Sequence, residues 1–217
     1  MLTTTAVCLT AVVVWRELAP RPTGRDTSAP RQVAWWEQAR AVGLEIGDST
    51  AALKIVEFVD LECPACRQYH ESEFARFVAE NADRAYSHVV VHLPLRGHRF
   101  AVAAAVAAEC AAEQGVLRAF VDVALMRQRE FGIASWSELG SDAGVPDLPG
   151  FDACLSEPRV RERVDAARNQ ALAWGINATP TFVVNGFLLG VPPSASRLSR
   201  WLGESKRGRL SLAEGTE

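Results

Sequence analysis

The chain has 217 residues, long for one small domain and short for two large ones, so one core carrying an insertion is the expectation. A composition of 48% hydrophobic, 23% charged and 8% aromatic residues lies near the globular average and argues against a disordered or fibrous chain. A net charge of −3 leaves no basic field to draw in nucleic acid, and 5 cysteines are too few for a disulfide scaffold.

Met1 to Trp15 carries no charged side chain and includes the apolar run from Ala6 to Val14, so residues 1–19 read as a signal or anchor segment that places residues 1–15 in a membrane. As a helix those fifteen residues span only ~22 Å, short of a hydrocarbon core of roughly 30 Å. No A-x-A site follows, which favours an uncleaved anchor over a cleaved peptide. Arg16, Arg21, Arg25 and Arg31 follow the run, against the positive-inside rule for an external domain. Residues 20–32, mixing Pro, Arg, Thr, Ser and Gly without periodicity, read as a linker.

A short helix is expected over 33–41. Leu53 to Val59 reads as a buried strand, and residues 64–80 as a helix with Tyr69, Phe74, Phe77 and Val78 inward. The strand therefore runs straight into Cys63-Pro64-Ala65-Cys66. Residues 86–93 form another β-branched strand. Beyond it come four helical segments, over 98–113, over 116–129, after a Ser135/Glu138 capping box, and over 157–174 with Gly175 as its terminator. Pro146 and Pro149 break the chain near Cys154. Asn185-Gly186 signals a hairpin between strands over 181–184 and 187–191, and Ser194 caps a last helix ending near Leu202. Residues 206–217 read as a solvated tail.

Cys63 stands where a strand ends and a helix begins, with Pro64 at the favoured first position. Unpaired backbone N–H groups and the helix dipole there stabilise a thiolate, which makes Cys63 the nucleophile. Cys66, one turn deeper, is placed to resolve a mixed disulfide. Glu62 raises the energy of that thiolate and Arg67 lowers it. Glu57, mid-strand among apolar neighbours, reads as a buried carboxyl of raised pKa that passes the proton of Cys66, or else as an ordinary strand-face acid. A zinc site needs two further ligands beyond the Cys-x-x-Cys. His70 is one candidate, but His88 and His92 lie roughly 13 Å apart along one strand face, and no metal is expected.

A strand ending in this dithiol motif, a second strand, a helical block, then Thr179-Pro180 before a hairpin and a last helix resembles the DsbA-like thioredoxin family. The resemblance covers about residues 42–204. It is carried by Val56-Glu57-Phe58, by Asp60-Leu61-Glu62-Cys63-Pro64-Ala65-Cys66, by the stretch from Ala107 to Gly115 and by Ala178-Thr179-Pro180-Thr181. It implies an α/β thioredoxin fold over residues 33–205 with a helical insertion over about 96–175 and, here, an N-terminal apolar anchor. It also implies that Cys63 attacks, Cys66 resolves, Glu57 is the buried acid, and Thr179-Pro180 is a cis bond facing the dithiol. Cys110 and Cys154 look like the helical-block disulfide of some relatives; two separate buried thiols are the alternative. Ala65 stands where the best-known strongly oxidising members carry histidine.

Together these imply an extracytoplasmic dithiol oxidase with no cofactor beyond its own cysteines. Reduced or unfolded exported proteins would be its substrates, and a membrane redox partner would reoxidise it. An isomerase or reductase of the same fold is one alternative; a non-catalytic module gripping extended peptides beside Pro180 is another.

Overall fold

In a computed structural model, residues 29–207 are described. The expected anchor, most of the linker and nearly all of the tail lie outside those residues. Among the described residues, no helix is long and apolar enough to cross a membrane.

The elements run β1 (Arg31–Gln32), α1 (Trp36–Val42), β2 (Leu44–Gly47), β3 (Lys54–Val59), α2 (Pro64–Tyr69), a π-helical turn (His70–Phe74), α3 (Ala75–Glu80) and β4 (Ser87–His92). They continue with α4 (Ala101–Glu113), α5 (Leu117–Met126), α6 (Trp136–Asp142), α7 (Leu148–Leu155), α8 (Pro158–Ala173), β5 (Thr181–Val184), β6 (Phe187–Leu188) and α9 (Ala195–Ser205). The sheet order is β1-β6-β5-β3-β4-β2, with β3 and β4 parallel and the other neighbours antiparallel.

Strand β3 is central and buried on both faces, which explains its almost unbroken apolar run. Alternate residues face opposite ways. Val56 and Phe58 pack with Ala39 of α1 and Ala167 and Ala171 of α8, and Phe58 meets the edges of the stacked Trp35 and Trp174. Ile55 joins Phe77, Phe182 and Trp201 under α3 and α9, while Val59 joins the helical block. Glu57 lies between these two clusters on the same face. The hairpin turn places Asn185 at φ 44 and Gly186 at φ 87, the left-handed pair such a turn requires. The Asn185 amide also ties this turn to β3, accepting from Lys54 N and donating to Ala52 O.

Several boundaries differ from the sequence expectation for local reasons. Arg31–Gln32, read as linker, is an edge strand held by backbone pairing to Phe187 and Leu188. β2 is a partly exposed edge strand on β4 that short-range pattern does not reveal. The helix over 64–80 contains the π turn, which widens the backbone at His70. The insertion holds five helices rather than four: Pro149 lies in the first turn of α7, where its missing N–H costs no helix bond. Asp147 caps that helix through Gly150 N, so the prolines start a helix instead of breaking the chain. The capping box at Ser135/Glu138 and the positive φ of Gly175 stand as expected.

Candidate active site

Cys63 is the N-cap residue of α2, in extended conformation, and Pro64 opens the helix. The turn ahead of it is fastened by Asp60, a buried carboxylate that accepts from Glu62 N at 2.8 Å, Leu95 N at 2.8 Å and His98 Nδ1 at 2.7 Å. Cys63 N donates to Asp60 O at 3.0 Å. From the insertion, Gln128 Nε2 donates to Leu61 O at 2.7 Å and Cys63 O at 3.0 Å. The dithiol turn is thus clamped from both sides.

Cys63 and Cys66 are free thiols. The Cys63 thiol lies 3.5 Å from Thr179 O, and the Thr179–Pro180 bond is cis. The Cys66 thiol as hydrogen-bond donor is the largest influence on Cys63 and outweighs its partial burial. With the Thr179 contact and the backbone N–H groups of Cys66 and Ala65, it pulls the Cys63 thiol down to about 5. Cys66 moves the opposite way: burial, its bond to Cys63 and the negative charge of Glu57 push it far up. The two sulfurs of one motif therefore differ in chemistry, one poised as a thiolate and the other held protonated.

The expected tuning by Glu62 and Arg67 takes another form. Glu62 accepts from Phe100 N at the entry to α4, and Arg67 pairs with Glu71 at 3.7 Å. The lowering at Cys63 comes from backbone, from Thr179 and from Cys66 instead. The bonds of Glu62 to Phe100 and of Asp60 to His98 also explain why α4 begins at Ala101 rather than at residue 98.

Glu57 is fully buried, and the reading of it as a carboxyl of raised pKa is corrected. Burial alone would raise it, but His70 Nε2 lies 3.0 Å and 3.1 Å from its two oxygens and His88 Nε2 lies 2.9 Å from Oε2. The charge that His70 carries when protonated, with hydrogen bonds from both imidazoles, holds the carboxyl well below the usual range. Arg118 donates to His88 Nδ1 at 3.2 Å, so His88 donates to Glu57 through Nε2–H. Burial, against the pull of Glu57, keeps His88 neutral at about 4.

Sequence reading missed this network because its members are 13 and 31 residues from Glu57 in the chain. It also missed Asp60, Gln128 and His98. His98 is raised because its bond to Asp60 and nearby negative charge, Cys63 included, outweigh its partial burial. His92, on the same strand face as His88, is buried with neither ring nitrogen bonded among the described residues. No group of three or more His, Cys, Asp or Glu among the described residues is placed to hold a metal. A disulfide joins Cys110 of α4 to Cys154 of α7, with Cα atoms 5.8 Å apart.

Residues 40–204 match the sequence model of a family described as Thioredoxin. Among solved structures, oxidised BdbD from Bacillus subtilis superposes with a TM-score of 0.67 at 16% identity, covering 83% of this chain and 99% of that one. Alpha-DsbA1 from Wolbachia pipientis gives 0.63 at 17% identity, covering 89% and 98%. A thioredoxin-like oxidoreductase from Silicibacter pomeroyi DSS-3 gives 0.59 at 23% identity, covering 77% and 93%. At these identities the likeness is one of fold. A curated relative, the Na(+)/H(+) antiporter NhaA of Herminiimonas arsenicoxydans, is 37% identical over 166 residues, 75% of this chain and 25% of that protein. The chain spans about a quarter or less of the length of the curated relatives it matches.

Proposed function

The chain belongs to the Thioredoxin family and has a DsbA-like fold, and from that premise we propose that it is an extracytoplasmic thiol-disulfide oxidoreductase acting as a dithiol oxidase. One observation carries the reading: Cys63 is pulled down to about 5 at the start of α2 while Cys66, a turn deeper, is pushed up. A thiol near 5 is almost wholly thiolate at pH 7. This stabilises the dithiol over the disulfide, and makes the disulfide a stronger oxidant, by up to about 60 mV.

In the forward reaction a substrate thiolate attacks Cys63 Sγ of the Cys63–Cys66 disulfide. The S–S bond breaks toward Cys66, and a second substrate thiolate then displaces Cys63. The low pKa of Cys63 makes it a good leaving group in that second step. Thr179 and Pro180 lie against Cys63, where Thr179 backbone groups can pair with an extended substrate. The substrates are reduced or unfolded exported proteins, a membrane redox partner reoxidises the dithiol, and residues 1–15 supply attachment to the membrane. Na(+)/H(+) antiport belongs to relatives of which this chain matches only a part, and is not assigned to it.

Equilibration with glutathione buffers tests the reading. A dithiol that stays largely reduced at a poise of about −220 to −260 mV is the expected result. A pair fully oxidised at that poise would indicate a reductant, and a pair that never exchanges with glutathione would indicate a binding module.

A further inference from the structure

Cys66 must change protonation state each time the dithiol turns over, yet its sulfur has no exposure to solvent. Glu57, whose charge is felt at Cys66, is equally buried and carries two imidazoles. These differ at their far nitrogens. His88 Nδ1 is occupied by Arg118, a cation with no site to take a proton. His70 Nδ1 has no hydrogen-bond partner among the described residues and lies 3.9 Å from Asp122 Oδ1. His70 and Asp122 line a cavity of about 690 Å³ between the π turn, α3 and α5, together with Phe74, Val78, Arg118 and Met126. Its rim carries Asp122, whose side chain is 53% exposed, and Met126, 60% exposed. The wide π turn begins at His70, the residue that connects Glu57 to this cavity.

We propose that His70 conducts the proton exchanged by Cys66, between Glu57 and the cavity that the π turn, α3 and α5 enclose, with Asp122 as the surface group. This rests on the oxidoreductase reading and adds a proton route that avoids the substrate face. When the Cys63–Cys66 bond breaks, its electron pair stays on Cys66 and the Cys63–substrate bond forms. A proton from the cavity joins His70 Nδ1, the Nε2 proton passes to Glu57, and Glu57 hands its proton to Cys66. The strongly acidic Glu57 carries that proton only in transit. The proton shed by the substrate thiol balances it in bulk solvent. In reverse, Cys66 loses its proton by the same path. The charged and titratable groups facing His70 are Glu57, His88, Arg118, Asp122 and Glu71.

The reverse direction makes the test direct. Dithiol protein mixed with excess dithiobis-nitrobenzoate should release one coloured thiolate as Cys63 attacks and a second as Cys66 resolves the adduct. His70→Gln, whose longer amide can take the place of Nε2 against Glu57, should slow the second phase at least about tenfold, less than the roughly 10²- to 10⁴-fold of a group acting directly on the reacting atom because His70 acts through Glu57. The first phase and the pH profile of Cys63 alkylation should stay unchanged. A second phase within about twofold of wild type, or equal slowing of both phases, overturns the route. If His70→Gln does not fold, Asp122→Asn at the rim decides: a second phase slowed about threefold supports the route, and an unchanged one overturns it. Absence of two-phase release in the wild-type protein would instead remove the oxidoreductase reading.

Discussion

Two cysteine pairs sit in one continuous apolar cluster and are chemically opposite. Cys63 and Cys154 are each 6% exposed, so burial does not separate them. Helix position does: Cys63 caps the start of α2 and meets backbone N–H groups that no helix bond uses, whereas Cys110 and Cys154 lie within α4 and α7 and are bonded to each other. One pair is poised to exchange, the other to tie two helices of the insertion together.

The sharpest way to break this contrast is to remove one sulfur at a time. Cys66→Ser protein should accumulate mixed disulfides with exported proteins and Cys63→Ser protein should accumulate none, as read on a non-reducing gel. Equal adducts from both variants would sink the assigned order of attack.

The second pair should matter for stability alone. Replacing both Cys110 and Cys154 by Ala should cost about 4 kcal/mol in the chain-entropy account of a loop closed across 44 residues. Denaturant unfolding measures it, while the pH profile of Cys63 alkylation should not move. A profile displaced by a full unit would mean that the two pairs are coupled.

A pH series sharpens the contrast further. With Cys63 near 5, its alkylation should rise tenfold per unit up to about pH 5 and then level off, against about 8.5 for a free thiol. Because this pKa is depressed on folding, the matching stability of the reduced protein is fully present above about pH 8.5 and is lost as pH falls through 5. Unfolding of reduced wild type and Cys63→Ala from pH 4 to 9 should diverge in that sense; parallel curves would contradict a thiolate stabilised by the fold.

The smallest effect concerns the clamp across the insertion. Gln128→Ala removes the donor to Leu61 O and Cys63 O and should cost about 1 kcal/mol, the net worth of such bonds. It should also leave Cys63 alkylation within about threefold of wild type, measured in parallel. A loss confined to the insertion, detected by hydrogen exchange with the dithiol turn unprotected in both proteins, would show that Gln128 does not hold the turn.

Much of the fold was legible because it is written in short-range pattern. The unbroken apolar run of β3, the alanine-rich α4, the capping box at Ser135 and the Asn185-Gly186 turn each report a local conformation that needs no distant partner. The dithiol motif at a strand-to-helix junction, and a distant Thr179-Pro180 ahead of a strand, were readable for the same reason. What failed locally were the edges: β1 and β2 exist because β6 and β4 offer them unpaired backbone, and α7 forms just after Pro146 because Asp147 caps it and Pro149 sits in its first turn.

The chemistry of Glu57 shows where sequence stops. Its neighbours in the chain are apolar, and on that basis alone burial should raise its pKa. The fold sets His70 and His88 on the carboxylate from a helix and a second strand, and the charge that His70 carries when protonated, with the hydrogen bonds of both, reverses the sign. The sequence by itself determined which residues could react and in which local conformation, since backbone preference acts over a few residues. Only the tertiary structure decided how each is charged, because electrostatic interactions act through space between groups the chain order keeps apart.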